Sequence, residues 1–244
     1  MKRLPSRMKW FADARLGLFL HYGVYSLLGR GEWTRNREDI PRDRYRLLAR
    51  RFTARNFDAD AIADLAVAMG ARYVVLTTKH HDGFCLFDSR LTDFKVTNTP
   101  AGRDLVAEYV RAVRRRGLKV GLYYSLNDWD HIPSATDAWE DRKAHRAFLD
   151  FPFAQLHQLL TGYGRIDLLW YDGCWPFLAP GWRAGRMNAL ARRLQPHIVI
   201  NDRNGGPDDF TTHEQHMSAV PDRSWEACMT LSERLSWTRG DTEF

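Results

Sequence analysis

The sequence predicts an α/β fold, a (β/α)8-type barrel of alternating parallel strands and helices, and three observations carry that prediction. Short apolar, β-branched runs alternate along the chain with segments of helical periodicity. The runs end on chemically active residues: His21, His80, Tyr123, Asp172, Arg203 and Glu214. A barrel opens the carboxyl ends of all its strands onto one face, so such residues converge. The glycine-rich phosphate turn that follows the first strand of a doubly wound sheet is missing from the sequence. At 244 residues the chain is expected to form one domain, 1–244.

The elements follow in order. Residues 8–14 read as a short amphipathic lead-in to the apolar strand 16–20, which ends on His21 and breaks at Gly23. Residues 30–51 are charged and read as irregular, apart from the pair Glu32-Trp33. Asp58 can cap a helix over 59–69, on which Ile62, Leu65, Ala66 and Met69 recur at helical spacing, and Gly70 ends it. Residues 73–78 are β-branched and aromatic, hence strand, and run into His80 and His81. A helix over 104–116 leads to the strand 120–125, on which Tyr123 faces the pocket and Tyr124, one residue on, faces the helices.

The helix 144–160 holds Pro152, which is expected to kink or divide it. Next comes Arg165-Ile166-Asp167-Leu168-Leu169-Trp170-Tyr171-Asp172-Gly173, a near-continuous apolar run of the kind found in strands buried on both faces. It closes on a carboxylate, and glycine then lets the chain turn. A helix over 184–194 stops before Pro196, the strand 198–201 delivers Asp202 and Arg203, and 209–214 reads as one more strand. A seventh is expected within 229–237.

Composition removes several classes of function. The net charge of +6 raises the question of nucleic acid, but the basic residues are scattered. Arg111, Arg114, Arg115 and Arg116 fall where a helix faces solvent rather than along a phosphate-tracking groove, so no nucleic-acid partner is expected. No stretch approaches the roughly 18 apolar residues of a membrane span. The basic start Met1-Lys2-Arg3 has no apolar run behind it, so it does not read as a signal peptide. Three cysteines, Cys85, Cys174 and Cys228, make an odd count without metal-type spacing and read as free thiols. A cytoplasmic protein without membrane partner or cofactor is the expectation.

Asp172 taken alone could simply cap a turn. With Glu214 on another strand end it forms a carboxylate pair of the kind that cleaves glycosidic bonds, ringed by aromatics suited to sugar faces. The alternative is a zinc-dependent barrel hydrolase using His21, His80, His81 and Asp172. Adjacent His80 and His81 could share a metal only if the strand has already ended. No G-x-S-x-G elbow and no G-x-x-x-x-G-K loop is present in the sequence.

The hexapeptide Lys79-His80-His81-Asp82-Gly83-Phe84 resembles the signature of the family 29 glycoside hydrolases, the α-L-fucosidases. Further stretches are similar to that family in the same order: Gly17-Leu18-Phe19-Leu20-His21-Tyr22-Gly23, Glu32-Trp33, Gly121-Leu122-Tyr123-Tyr124-Ser125, Leu169-Trp170-Tyr171-Asp172-Gly173, Asn201-Asp202-Arg203 and Trp225-Glu226. The resemblance covers nearly the whole chain. It implies a metal-free retaining exo-glycosidase acting on a fucosylated oligosaccharide or glycoside. By the same matching, Asp172 is the nucleophile and Glu214 the acid/base, with Glu32 as rival. His21, Glu32, Trp33, His80, His81, Tyr123, Trp170 and Arg203 are then implied to line the fucose subsite, and Trp237 to lie near the sugar's methyl group.

There are departures from the family pattern. Tyr22 stands where the family usually has Trp, and Thr238-Arg239-Gly240 follows Trp237 in place of Gly-Tyr. With six or seven strands counted, the barrel is expected to be incomplete at its C-terminus, with the family's β-sandwich absent. Its open edges would be covered by further chain or by a homo-oligomer. A catalytically impaired, fucose-binding module is the competing reading.

Overall fold

The computed structural model describes residues 4–135, 141–216, 222–232 and 234–240; the basic start at Met1–Arg3 lies outside them. The architecture is α/β with a parallel sheet. Strands β1 (Gly17–Leu20), β2 (Tyr73–Lys79), β3 (Lys119–Ser125), β4 (Leu168–Asp172) and β5 (Val199–Ile200) lie side by side in chain order. All four pairings are parallel. A parallel bridge from Asn201 to Phe210 continues the sheet to β6 (Thr211–Glu214), which pairs in parallel with β7 (Trp225–Cys228). The order never reverses, so the switch point that marks a doubly wound sheet does not occur among the described strands.

The pleat sorts the strands into two cores. Leu18, Val74, Leu76, Leu122, Tyr124, Leu169, Tyr171 and Ile200 point one way into a large cluster with the helices. Their neighbours Val75, Tyr123, Leu168, Trp170 and Val199 point the other way, into a second cluster that gathers Phe210 and Cys228 from the far strands. Met8, at the start of helix α1 (Lys9–Ala14), and Phe11 within it join this inner cluster. In a flat sheet β2 and β7 would stand roughly 24 Å apart at about 4.8 Å per strand. Yet the Tyr73 hydroxyl of β2 donates to Glu226 of β7 at 3.0 Å. The sheet therefore curls around its inner face.

The helices cover the outside. Helix α2 (Ala59–Ala68) starts on Asp58, whose carboxylate accepts from the amides of Asp60 and Ala61 at 2.9 and 3.0 Å. Its buried face is alanine, through Ala59, Ala63 and Ala66, while Leu65 and Met69 are exposed. Of the apolar positions read from the sequence, Ala66 and the partly buried Ile62 do face the core, while Leu65 and Met69 do not. The helix packs closely on β2 and on α3 (Leu105–Arg115), a distance that suits methyl groups. Helix α4 (Arg142–Gly162) runs unbroken through the buried Pro152, neither ending there nor dividing. Helix α5 (Ala184–Leu194) precedes β5.

Two further expectations need correction. Residues 30–51 are not wholly irregular but contain the short helices Thr34–Arg37 and Arg42–Arg46 and a 3-10 turn, Leu47–Arg51. The seventh strand is Trp225–Cys228, not within 229–237; the described residues of that stretch form bends and coil, and Thr238 just beyond it bridges back to Arg30. As expected, Tyr124 points outward, and its hydroxyl donates to Gln155 of α4 at 2.8 Å.

Candidate active site

The carboxyl ends of β1 to β6 meet at Asp172. Strand β4 carries it as its last residue, and Gly173 then turns the chain at φ +66°. A Cβ at Gly173 would meet Ser125 Oγ at 2.8 Å and His81 Nδ1 at 2.9 Å. Glycine is thus needed both for the backbone conformation and for the close approach of His81.

Three side chains converge on the Asp172 carboxylate. The Tyr123 hydroxyl donates to Oδ2 at 2.8 Å. Arg203 donates to Oδ1 through Nε at 3.2 Å and Nη2 at 2.9 Å. His81 Nε2 stands 3.6 Å from Oδ2. Burial, then the facing carboxylate, pushes the Tyr123 phenol well above its ordinary range, so it keeps its proton and remains a donor. The same Nη2 of Arg203 reaches Glu214 Oε2 at 2.8 Å. The cation therefore bridges the two carboxylates predicted from sequence.

The histidines are neutral. His81 Nδ1 lies 2.7 Å from Ser125 Oγ, whose own proton goes to the Asn127 carbonyl. Ser125 therefore accepts from Nδ1–H, which leaves Nε2 of His81 with its lone pair free, facing the pocket. Burial, reinforced by Lys79, holds its pKa well below the usual imidazole value. His80 is likewise lowered, by burial and then by His81, and burial brings His21 down to about 4. His21 Nε2 and His80 Nδ1 are buried without a hydrogen-bond partner. Unpaired buried ring nitrogens at strand ends are costly unless a ligand's hydroxyls complete them.

Stacked rings support this polar floor. Tyr123 lies nearly parallel to Trp170 at 5.5 Å and to His80 at 5.6 Å. Arg203 sits over Trp170 at 5.1 Å. The Trp170 indole donates to Glu226 Oε1 at 2.9 Å, so Glu226 sets the ring on which Tyr123 and Arg203 rest. Sequence reasoning assigned Glu226 no role; the pair Trp225-Glu226 was the only signal. Ser125, which fixes the His81 tautomer, was missed likewise and stands at the end of a recognised strand.

The remaining expected residues divide. Glu32 is buried beside the floor, where its carboxylate accepts from the Ser236 amide at 3.1 Å and hydroxyl at 2.8 Å. Trp33 packs on His81 at 5.1 Å. Trp237 is more than half exposed and lies beside Gly29, at the rim rather than on the floor. Both His80 and His81 follow the end of β2, yet among the described residues no three His, Cys, Asp or Glu side chains are arranged to hold a metal ion.

A family profile described as Alpha-L-fucosidase matches residues 2–244. The tissue alpha-L-fucosidase of Bos taurus is 32% identical over 262 residues, covering 96% of this chain and 56% of that protein. Alpha-L-fucosidase isoenzyme 1 from Paenibacillus thiaminolyticus superimposes with a TM-score of 0.90 at 39% identity, over 98% of this chain and 64% of that one. A GH29 alpha-L-fucosidase from Bacteroides thetaiotaomicron, solved as a trapped covalent intermediate with 2-fluoro-fucosyl fluoride, gives 0.88 at 32% identity, over 97% and 64%. The chain spans about half the length of the curated relatives it matches.

Proposed function

The chain belongs to the alpha-L-fucosidase family, glycoside hydrolase family 29, and from that premise we propose that it hydrolyses terminal α-L-fucosyl residues by retaining double displacement, on a sheet that is part of a (β/α)8 barrel. The observation that carries the reading is Arg203 Nη2 held between Asp172 and Glu214, at 2.9 and 2.8 Å. Two carboxylates in contact with one nitrogen are closely paired, as a retaining mechanism requires. The short separation suits attack by one carboxylate and proton transfer by the other.

In the first step an Asp172 oxygen bonds to fucosyl C1 as the bond from C1 to the glycosidic oxygen breaks, and that oxygen takes a proton from Glu214. In the second, Glu214 accepts a proton from water, the water oxygen bonds to C1, and the ester to Asp172 opens. Arg203 compensates the charge of whichever carboxylate is ionised, and Glu214 leaves it to take up a proton. The neutral imidazoles offer lone pairs and N–H groups to the sugar hydroxyls without adding charge next to the nucleophile. Fucose release from a chromogenic aryl α-L-fucoside tests the reading. Release above blank is the expected result. Folded protein that binds fucose in calorimetry without releasing it would instead be a binding module.

A further inference from the structure

The stretch that supplies His80 and His81 begins with a cation that the chemistry above does not use. Lys79 is the last residue of β2, and its side chain is fully buried. The pairing of β2 with β3 shifts register between Thr77 and Lys79. Lys79 lies on the helix side of the sheet, its Nζ 4.7 Å from the Tyr124 ring and 5.7 Å from that of Phe151 on α4. There it donates to Asp128 Oδ2 at 2.9 Å and to the Asn127 carbonyl at 3.5 Å. Asp128, itself buried, accepts in turn from the amides of Asp130 and His131, both at 2.9 Å.

Filling the space between two aromatic rings does not call for a charge. Burying an ion pair costs desolvation that its attraction barely offsets, and an apolar side chain of similar volume is often as stable. What the pair holds is the peptide joining Asn127 to Asp128, and that peptide is one end of a chain of hydrogen bonds. The Asn127 carbonyl accepts from the Ser125 hydroxyl at 2.7 Å, and Ser125 Oγ lies 2.7 Å from His81 Nδ1. A carbonyl can only accept, so the Ser125 proton is committed to it and His81 donates through Nδ1. With that carbonyl displaced, Ser125 is free to donate to Nδ1 instead. The imidazole proton then belongs on Nε2, 3.6 Å from the Asp172 carboxylate. There it points at the nucleophile, and no lone pair is left for the sugar.

We infer that Lys79 is a positioning residue: with Asp128 it holds the Asn127 carbonyl where it takes the Ser125 proton, and so keeps His81 in the Nδ1–H tautomer. The consequence for rate rests on the fucosyl-transfer reading of Asp172; the tautomer does not. Charge acts in the same sense as the hydrogen bonds. The titratable and charged groups facing His81 are Lys79 and His80 beside it, His21 after β1, Asp172 at the end of β4 and Arg203 after β5. Of these, Asp172 is the one that draws a proton to Nε2. Burial opposes it most, and the Lys79 cation next.

Lys79→Met combined with Asp128→Asn leaves no unpaired buried charge and keeps a side-chain carbonyl for the amides of Asp130 and His131. In protein isotope-labelled on the histidine nitrogens, bare and protonated ring nitrogens give well-separated NMR signals, and His81 is assigned by its loss in His81→Gln. The wild type is expected to show the Nδ1–H tautomer of His81 alone between about pH 5 and 8. The double variant is expected to populate the Nε2–H tautomer as well, and to lower kcat/KM on an aryl α-L-fucoside about 10-fold, the worth of one hydrogen bond. Ser125→Ala keeps the ion pair but breaks the chain one step later, and is expected to give the same mixture and the same loss. If the double variant does not fold, Asp128→Asn alone loosens Lys79 and is expected to give part of the shift. A folded variant that keeps the wild-type tautomer, or a wild type already in the Nε2–H form, overturns the inference. Wild-type protein inactive on the fucoside overturns the fucosyl-transfer reading and leaves the tautomer result standing.

Discussion

Asp172 and Glu214 share one nitrogen of Arg203, yet they stand in opposite surroundings. Asp172 ends a strand buried on both faces, its side chain is 13% exposed, and it is held by Tyr123 and Arg203. Glu214 ends β6, its side chain is 31% exposed, and Arg203 is its ion-pair partner. The difference suits the roles proposed for each in a double displacement. A nucleophile gains from being fixed, since a misplacement of about 1 Å can cost on the order of 100-fold in rate. A proton donor must exchange with solvent once per turnover, so partial exposure and a loose tether serve it.

The comparison breaks first at Asp172. Asp172→Ala is expected to lower kcat on an aryl α-L-fucoside by at least about 10⁴-fold, because it removes the attacking oxygen of the proposed first step. Added azide can then displace the aryl group directly, and one displacement inverts, so the product is expected to be β-L-fucosyl azide. Detection of the α anomer by NMR would contradict the assignment.

Glu214→Ala is expected to cost about 10²–10⁴-fold on substrates with poor leaving groups, the usual share of general acid/base catalysis, and far less on an activated aryl fucoside. Here azide attacks the fucosyl-enzyme in place of water. Two displacements restore the configuration, so α-L-fucosyl azide is the expected product. Glu32→Ala, which removes the acceptor of Ser236, is expected to show no azide rescue. Rescue of Glu32→Ala in place of Glu214→Ala would move the acid/base role to Glu32.

Much of the floor was legible in the sequence because strand ends are legible. An apolar run stopping on His21, on Lys79-His80-His81 or on Asp172-Gly173 fixes both the strand and what it presents. What stayed hidden depended on distances between elements. Ala63 lies on the buried face of α2 unannounced by the periodicity, which found Ala66 but also favoured the exposed Leu65 and Met69. The run Leu168-Leu169-Trp170-Tyr171 is buried on both faces, so hydrophobicity does not say which residues point inward. Trp129 and Trp175 lie on loops about 45 residues apart in sequence, yet both pack on His81 because β3 and β4 are neighbours. Glu226 needed knowledge that the sheet curls far enough for β7 to face β2 and β4.

Tyr123→Phe probes the tether of Asp172 without moving its ring, which still stacks on Trp170 and His80. A hydrogen bond to a charged acceptor is worth about 1.5–3 kcal/mol, so kcat/KM is expected to fall about 10- to 100-fold. The loss should appear in kcat, since the bond positions the nucleophile and does not bind the fucose. A loss confined to KM would place Tyr123 on the sugar and off the carboxylate.

The smallest effect is on stability, and there the floor and the β6–β7 arm differ in sign. His21 has a folded pKa of about 4 against 6.5 for the free imidazole, and His80 and His81 are lowered in the same direction by burial. Below pH 6.5 the unfolded chain binds the protons these groups refuse. Their contribution to stability is therefore complete above pH 6.5 and lost as pH falls below it, for His21 down to about 4. Glu226 runs the other way. Burial raises its carboxyl above the ordinary 4.5, against the pull of the Trp170 and Tyr73 donors. Just above pH 4.5 the folded protein binds the proton more readily, so acidification stabilises it there. Urea midpoints measured from pH 7 to pH 4.5 should fall for the wild type, fall less steeply for His21→Gln and more steeply for Glu226→Gln. Each fully shifted group changes the slope by at most about 1.4 kcal/mol per pH unit. Equal slopes in all three proteins would mean that neither set of groups titrates differently on folding, and the contrast between a neutral floor and a protonatable arm would fail.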